Sequence, residues 1–271
     1  MDRDVSGSQG AASDAARHGA DADDGGRNRA DSAAGALSGE AGRRAMSDPT
    51  AGDASVGDPL VGDPRVQDFL GPAYPTVAAF HSMLTEDGVL RGLIGPREVR
   101  RLWERHLLNS ASVAAYLPTT GRLVDIGSGA GLPGIVLAAM LPEVEVVLLE
   151  PMERRVDWLA EVAERLRLAN VVVRRGRAEE AHGELVADAV TARAVAPMDR
   201  LARWSLPLLR AGGMLVALKG RQAADEVASA RHVLRKLGAG STDVLEAATI
   251  DGVEPTTVVR VVRTSVKGGR A

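Results

Sequence analysis

The stretch Val124-Asp125-Ile126-Gly127-Ser128-Gly129-Ala130-Gly131-Leu132-Pro133-Gly134-Ile135 decides the fold class of this chain. Its apolar beginning is typical of a buried strand, and a loop with four glycines and a segment of helical character follow it. The next apolar segment, Val144 to Leu149, is followed by Glu150. Because glycines permit a tight turn and a close approach of the backbone to a ligand, this arrangement predicts a site for a nucleoside-type cofactor.

The order of the glycines distinguishes two ligand classes. A dinucleotide site has the pattern G-x-G-x-x-G, with the pyrophosphate at a helix N-terminus. Here the pattern is D-x-G-x-G-x-G, from Asp125 to Gly131. The Asp125 carboxylate would repel a diphosphate but suits the ammonium of a methionine moiety, and Glu150 can accept hydrogen bonds from ribose hydroxyls. The pattern therefore favours S-adenosylmethionine, whereas glycines used only for packing would leave both carboxylates unexplained.

The composition of the 271 residues narrows the possible chemistry. No cysteine is present, which excludes disulfides, thiolate catalysis and cysteine-ligated metals. Five scattered histidines without an H-E-x-x-H motif predict that there is no metal site. No apolar run approaches the ~18 residues of a membrane span, and no segment resembles an export signal. We therefore expect a soluble cytoplasmic protein.

Residues 1–64 differ in composition from the rest of the chain. They hold 12 acidic residues and six arginines among Ala, Gly and Ser, with almost no large apolar side chain. Such a segment buries too little surface to offset the entropy of ordering, so it predicts a disordered tail. Met46 is a second candidate for the first residue of the protein. Residues 65–271 hold 27 basic and 24 acidic residues, a balance that permits nucleic-acid binding without requiring it.

Residues 65–117 predict a helical extension ahead of the sheet. Helices are expected over 76–84 and 97–117, and the second has apolar residues at helical spacing that would pack on a core. Its arginines lie mostly on another side, which either faces RNA or is a solvated charged face. These arginines are Arg97, Arg100, Arg101 and Arg105.

Residues 118–271 predict a methyltransferase-type α/β domain because strands and helices alternate. Strands are expected at 122–126, 144–149, 170–174, 186–192 and 213–219, and helices at 132–141, 153–168, 197–209 and 221–237. Two last strands, 241–248 and 256–263, predict an antiparallel hairpin at one edge of a seven-stranded, mostly parallel sheet. Ligands of such sheets bind at the carboxyl ends of the strands, near the topological switch point.

Candidate site residues follow the third, fourth and fifth strands. Ala178 and Glu179 follow the third, where the Ala178 backbone and the Glu179 carboxylate could bind the edge of an adenine; acidic residues at a helix N-terminus also favour the helix dipole. Arg193 ends the fourth strand, where its planar fork suits a phosphate or a guanine, or an ion pair with Asp188 or Asp199. Lys219 ends the fifth strand and could contact the RNA backbone or cap the sheet edge.

The absence of certain motifs also limits which methyl acceptors are possible. The chain has no N-P-P-Y or D-P-P-Y motif, which amino-group methyltransferases use, and no cysteine to attack a pyrimidine C5. The remaining acceptors are already nucleophilic or need one modest base. Guanine N7 has a free lone pair at neutral pH, so catalysis would consist of placing N7 in line with the sulfonium methyl. The base must be unstacked to enter a pocket.

Residues 98–220 resemble the ribosomal RNA small subunit methyltransferase G family, also called glucose-inhibited division protein B. The matching segments are Arg105–Ser110, Val124–Ile135, Arg154–Val156, Arg177–Glu180, Arg193-Ala194 with Ala196, and Ala217–Gly220. The resemblance implies a Rossmann-like class I methyltransferase in the cytoplasm. It implies methyl transfer from S-adenosylmethionine to N7 of one guanosine of 16S rRNA, in the small ribosomal subunit or its assembly intermediate. We expect the enzyme to be a monomer.

The resemblance and the glycine loop together give the candidate site. The expected cofactor contacts are Asp125, Gly127, Gly129, Gly131, Leu132, Glu150, Ala178, Glu179 and Arg193. The expected substrate contacts are His106, Ser110, Arg193 and Lys219, with Asn109 and Gly220 beside them, and the expected catalytic residues are Arg193 and Lys219. The family segment usually has an aspartate where Asn109 stands.

Three alternatives stay open at the level of sequence. One is an RNA-binding ribosome-assembly factor with a vestigial cofactor pocket, which the intact acidic residues and glycines disfavour. Another is a small-molecule methyltransferase; a cleft with few arginines around it would favour this alternative. The third is a dinucleotide-dependent oxidoreductase, which would bind NAD in place of S-adenosylhomocysteine.

Overall fold

A computed structural model describes residues 57–264 of the chain. The predicted disordered tail, residues 1–64, lies outside the described residues as far as residue 56. Residues 57–63 of that predicted tail are described: Asp58 is buried, and its carboxylate accepts hydrogen bonds from the N–H groups of Trp103 (2.7 Å) and Leu60 (3.1 Å). Burial acts to raise the Asp58 pKa, but these hydrogen bonds and His81 hold it below its ordinary value.

Seven strands form one sheet in the order β3-β2-β1-β4-β5-β7-β6. The strands are β1 (Gly121–Ile126), β2 (Val144–Glu150), β3 (Val171–Arg175), β4 (Ala187–Arg193), β5 (Leu209–Lys219), β6 (Ala239–Ala247) and β7 (Thr256–Arg263). β1 to β5 are parallel to one another, whereas β7 lies antiparallel between β5 and β6. The predicted seven-stranded, mostly parallel sheet and its edge hairpin are confirmed, and the order reverses at β1, between β2 and β4.

Helices cover both faces of the sheet. The helices that connect the strands are α4 (Gly134–Met140), α5 (Glu153–Arg165), α6 (Met198–Ser205) and α7 (Ala223–Lys236). One hydrophobic core contains residues of α4 and α5, and the other contains residues of α6 and α7. Crossover connections through helices on alternating faces are what a doubly wound sheet requires.

The segment before β1 is helical, as predicted, but less regular. It contains α1 (Pro64–Leu70), α2 (Tyr74–Met83), a π-helical turn (Leu84–Gly88), and a run of 3₁₀ (Val99–Arg101), π (Trp103–Leu108), α3 (Asn109–Ala111) and 3₁₀ (Ala114–Tyr116) turns. The sequence prediction missed α1, whose N-cap Asp63 accepts a hydrogen bond from the Arg65 N–H at 2.8 Å. An Asp-Pro pair ahead of an apolar run is the signal that predicts such a start.

The helical segment packs on the same core as the sheet. Phe80 of α2, Trp103 and Leu107 are almost fully buried together with Leu123 of β1 and Leu148 of β2. The helical segment and the sheet therefore share one hydrophobic core. Within residues 57–264, no helix is both long and apolar enough to cross a membrane.

Candidate active site

The glycine loop turns at the carboxyl end of β1, at the topological switch point. The Gly127 N–H donates to the carbonyl of Leu149 at 2.8 Å, so the loop starts beside the end of β2. Gly127 and Gly131 have φ values of +69° and +105°, a region that favours glycine. A Cβ at Gly127 would lie 2.8 Å from Val195 Cγ1, so the lack of a side chain lets the segment after β4 approach the loop.

Asp125 lies beneath this loop. It is fully buried, and its Oδ2 accepts a hydrogen bond from the Gly134 N–H at 3.0 Å, which joins β1 to the start of α4. Its Oδ1 accepts no hydrogen bond from a described residue. Burial raises the pKa of Asp125 to about 7, although hydrogen bonds and the charge of Arg193 act in the opposite direction.

Glu150, at the end of β2, holds the loop from the other side. Its Oε2 accepts a hydrogen bond from the Gly129 N–H at 2.9 Å, and its Oε1 accepts one from the Met152 N–H at 3.1 Å. The Arg155 guanidinium lies 3.8 Å from the same carboxylate. The carboxylate is therefore fixed in orientation at the place where the sequence predicts a partner for ribose hydroxyls.

A cavity of about 440 Å³ opens between the carboxyl ends of β1, β2, β3 and β4. Five of the predicted cofactor residues line it: Gly127, Glu150, Ala178, Glu179 and Arg193. The other four do not line it, and three of them, Asp125, Gly131 and Leu132, are buried; the fourth is Gly129. Gly131 faces the protein interior, since a Cβ there would lie 2.8 Å from Ile135 Cγ1 and 3.0 Å from Phe80 Cζ.

Arg193 ends β4 and lies between this cavity and a second one. Its guanidinium donates hydrogen bonds to the Arg105 carbonyl (3.3 Å), Asn109 Oδ1 (3.5 Å) and His106 Nδ1 (3.1 Å). Asp188, which the sequence offered as an ion-pair partner, instead pairs with Arg210. Burial lowers the pKa of Arg193 from its ordinary value, while the charges of Asp125 and Glu98 oppose that change.

His106 joins Arg193 to an acidic residue. Its Nε2 lies 2.8 Å from Glu98 Oε2, and its Nδ1 faces the Arg193 guanidinium, which can only donate. These partners assign a neutral ring that carries its proton on Nε2 and donates it to Glu98. Burial lowers the His106 pKa, with a further contribution from Arg193, and Glu98 acts in the opposite direction.

The second cavity, of about 740 Å³, lies between the helical segment and the ends of β4 and β5. Its walls include the predicted substrate residues His106, Arg193 and Lys219, together with Asn109 and Gly220. Ser110 is not among them, because it is completely buried. The two cavities share Arg193, Ala194 and Val195, and Ala194 has a left-handed backbone with φ +55°.

Lys219 is held by hydrogen bonds at the end of β5. Its Nζ donates to the Ala196 carbonyl at 2.7 Å and to Glu226 Oε2 at 2.6 Å. Asn109 donates to Thr256 Oγ1 at 2.8 Å. Its amide oxygen faces the Arg193 guanidinium at 3.5 Å, which is a contact between a charged and a neutral group.

Several wall residues were missed by sequence reasoning. In the first cavity they include Met152, Arg155, Arg177 and Trp204, and in the second Gln222 and Glu226. Arg155 and Arg177 lie in segments that resemble the family. They also follow β2 and β3, and this position at the carboxyl end of a strand could have indicated them as site residues. Trp204 and Glu226 lie on helices whose packing only the tertiary structure reveals.

The first cavity fits S-adenosylmethionine. It combines a glycine loop that a Cβ at Gly127 would obstruct, a fixed carboxylate at Glu150, and an apolar part formed by residues such as Ile126 and Leu149. Among these residues, Glu150 would hold the ribose and Ala178 with Glu179 the adenine. Together with the strand order, this cavity at the switch point defines a class I S-adenosylmethionine-dependent methyltransferase.

Comparisons with known proteins identify the family. The family model described as rRNA small subunit methyltransferase G matches residues 74–250. Proteins of that name from Thermobifida fusca and Beutenbergia cavernae are 51% and 50% identical, over 73% and 71% of this chain and 84% and 91% of theirs. A solved tRNA (m1A58) methyltransferase from Aquifex aeolicus aligns with a TM-score of 0.47 and 16% identity, over 59% of this chain and 69% of its own. The chain belongs to the rRNA small subunit methyltransferase G family.

Proposed function

We propose that this protein transfers a methyl group from S-adenosylmethionine to N7 of one guanosine in 16S rRNA. The observation that carries the proposal is the pair of cavities that meet at Arg193, Ala194 and Val195. One has the features of a nucleoside cofactor site, and the other is open to a base. Membership of the family supports the choice of ribosomal RNA as the substrate.

The side chains around the second cavity are suited to an acceptor that loses no proton. Guanine N7 already has its lone pair, and the cofactor supplies an electrophilic methyl group when it is bound. His106 directs its Nδ1 at Arg193, and Lys219 is engaged by Glu226 and a carbonyl, so neither side chain is poised as a general base. These residues would position the base rather than deprotonate it, and much of the rate enhancement would come from orientation.

Arg193 is the residue we assign most directly to the reaction. Its guanidinium lines both cavities, and its contacts with His106 and the Arg105 carbonyl fix its plane. Arginine donates in a planar fork, which suits the O6 edge of a guanine or a neighbouring phosphate. We propose that it holds the target nucleotide at the boundary between the cavities, with Lys219 supporting the opposite wall.

The remaining predicted contacts fall into two groups. We propose that Gly127, Glu150, Ala178 and Glu179 touch the cofactor, because they line the first cavity. Four other residues do not line this cavity, and we propose that they shape the loop: Asp125, Gly129, Gly131 and Leu132. Ser110 likewise supports the substrate cavity from within the core.

The substrate and the setting follow from the same proposal. We propose that the target is 16S rRNA in the small ribosomal subunit or an assembly intermediate, which implies a cytoplasmic location. We also propose a monomer, because both cavities are built within one chain. The exposed arginines of the helical segment are partly neutralised, since Arg101 pairs with Glu104 and Arg105 with Glu98.

Labelled S-adenosylmethionine tests the proposal. The protein is incubated with 16S rRNA and with small subunits that lack the modification, and the product is mapped by mass spectrometry. We expect a single 7-methylguanosine in one of these substrates. If neither substrate takes up label although the protein binds S-adenosylmethionine, the fold assignment stands and the RNA substrate is wrong.

A further inference from the structure

The second cavity adjoins two other cavities. It shares Arg193, Ala194 and Val195 with the cofactor cavity. It shares Pro197, Gln222 and Glu226 with a neighbouring surface cleft. Among the described residues that line the second cavity, Glu226 is the one carboxylate. A base in this cavity would therefore lie between the cofactor cavity and the cleft that Glu226 lines.

The Glu226 carboxylate is held in place with one oxygen unused. Its Oε2 accepts hydrogen bonds from Lys219 Nζ at 2.6 Å and from the Met198 N–H at 2.9 Å. Its Oε1 accepts no hydrogen bond from residues 57–264, and the side chain is 29% exposed. Lys219, at the end of β5, also supplies a compensating positive charge. Together with the Met198 N–H at the start of α6, it fixes the orientation of the carboxylate, whose Oε1 remains available as an acceptor.

Guanine presents complementary chemistry at the edge opposite N7. N1–H and the N2 amino group are adjacent donors, and they point away from N7 across the ring. When N7 faces the cofactor cavity, these donors would face the cleft that Glu226 lines. Adenine has an acceptor at N1 and no amino group at C2, so the same carboxylate would repel it. A site built to bind donors rejects a base that lacks them more strongly than an apolar pocket does.

We infer that Glu226 determines the base specificity of this enzyme by accepting hydrogen bonds from N1–H and N2–H of the target guanine. Lys219 then acts on the reaction by orienting Glu226. The inference rests on the proposed function, because it requires a guanine whose N7 faces the cofactor.

The test compares guanosine with inosine, which lacks only the N2 amino group, at the mapped target position of 16S rRNA assembled by splinted ligation. Inosine at a neighbouring guanosine serves as the substrate control. The protein variants are Glu226→Gln and Glu226→Ala, with Asp225→Asn as the matched control because Asp225 is exposed and one residue earlier in α7. Binding of S-adenosylhomocysteine, measured by calorimetry, confirms that each variant is folded.

For the wild type and Asp225→Asn, we expect kcat/KM to fall about 10-fold or more with inosine, since a hydrogen bond to a charged acceptor is lost. For the Glu226 variants we expect lower activity on guanosine and an inosine penalty of about 3-fold or less. A wild type that methylates both bases equally would overturn the inference, even if no variant folds. So would an inosine penalty that is the same in all the proteins. If the wild type methylates no guanine N7, the proposed function fails and this inference fails with it.

Discussion

At the scale of single residues, Arg193 connects the two halves of the site. Its three hydrogen bonds go to neutral groups beside a cavity, where water can replace it. For Arg193→Ala we expect methyl transfer to fall about 100-fold or more, because a preorganised donor at the reacting base is lost. The free energy of unfolding should change by about 1 kcal/mol or less.

Activity assays with labelled cofactor and urea unfolding measure both quantities for Arg193→Ala. Arg200→Ala is the control, since Arg200 is an exposed arginine at the start of α6 without an ion pair among the described residues. Unchanged methylation in Arg193→Ala would remove Arg193 from the site. A large loss of stability would make its role structural.

Asp125 gives a pH-dependent prediction at the same scale. Burial raises its pKa in the folded protein to about 7, from an ordinary value of 3.8. Between these values the folded protein keeps a proton that the unfolded chain has released, so Asp125 makes the wild type less stable as pH rises towards 7. In the Asp125→Asn variant the new side chain would not titrate, and its amide oxygen could still accept a hydrogen bond from the Gly134 N–H.

We therefore expect the free energy of unfolding of Asp125→Asn, relative to that of the wild type, to rise by about 2–3 kcal/mol as the pH increases from 5 to 7. Above pH 7 the difference should stay level. Urea unfolding of both proteins at a series of pH values measures it. A difference that is constant from pH 5 to pH 8 would show that Asp125 has an ordinary pKa.

At the scale of elements, the β1–loop–α4 unit depends on close packing. A Cβ at Gly134 would lie 2.6 Å from Asp125 Oδ2 and would also meet Leu148, and both neighbours are buried. We expect Gly134→Ala to destabilise the protein by about 2–3 kcal/mol, since overpacking a core forces its neighbours to move. Thermal unfolding checks this, with Gly220→Ala as control, because a Cβ at Gly220 would meet nothing within 4 Å. Equal stability of the two variants would contradict the expected packing.

The elements also show where sequence patterns reached their limit. The strands were predicted within two residues except β5, which begins at Leu209 instead of 213, because a stretch with two glycines does not look like a strand. The predicted helix 97–117 is a series of 3₁₀, π and α turns. The spacing of the apolar residues predicted its buried face, which includes Trp103 and Leu107. It did not predict the changes between 3₁₀, π and α turns along the segment.

At the scale of the whole molecule, cofactor binding should stabilise the fold. Ligand at about 100 times its Kd adds about 2.7 kcal/mol to the free energy of unfolding. For a domain of this size we therefore expect S-adenosylhomocysteine to raise Tm by about 5–10 °C. NAD should leave Tm unchanged, because the loop has the pattern D-x-G-x-G-x-G instead of G-x-G-x-x-G and its Gly129 N–H donates to Glu150 rather than to a diphosphate. Differential scanning fluorimetry distinguishes the two ligands, and a shift with NAD alone would favour the oxidoreductase.

The sequence by itself determined the doubly wound sheet, the position of the glycine loop and the residues at the ends of β1 to β5. These features depend on the local alternation of apolar segments and on glycines next to carboxylates, both of which are visible in one dimension. The tertiary structure decided which of those residues reach a cavity. Asp125, Gly131 and Ser110 fit the pattern of a site but face the interior, because a strand end or helix turn has an inward side that the pattern does not specify. Glu226 and Glu98 joined the site through contacts with Lys219 and His106, seven and eight residues away, which the sequence pattern did not indicate because they depend on how the chain turns between the partners.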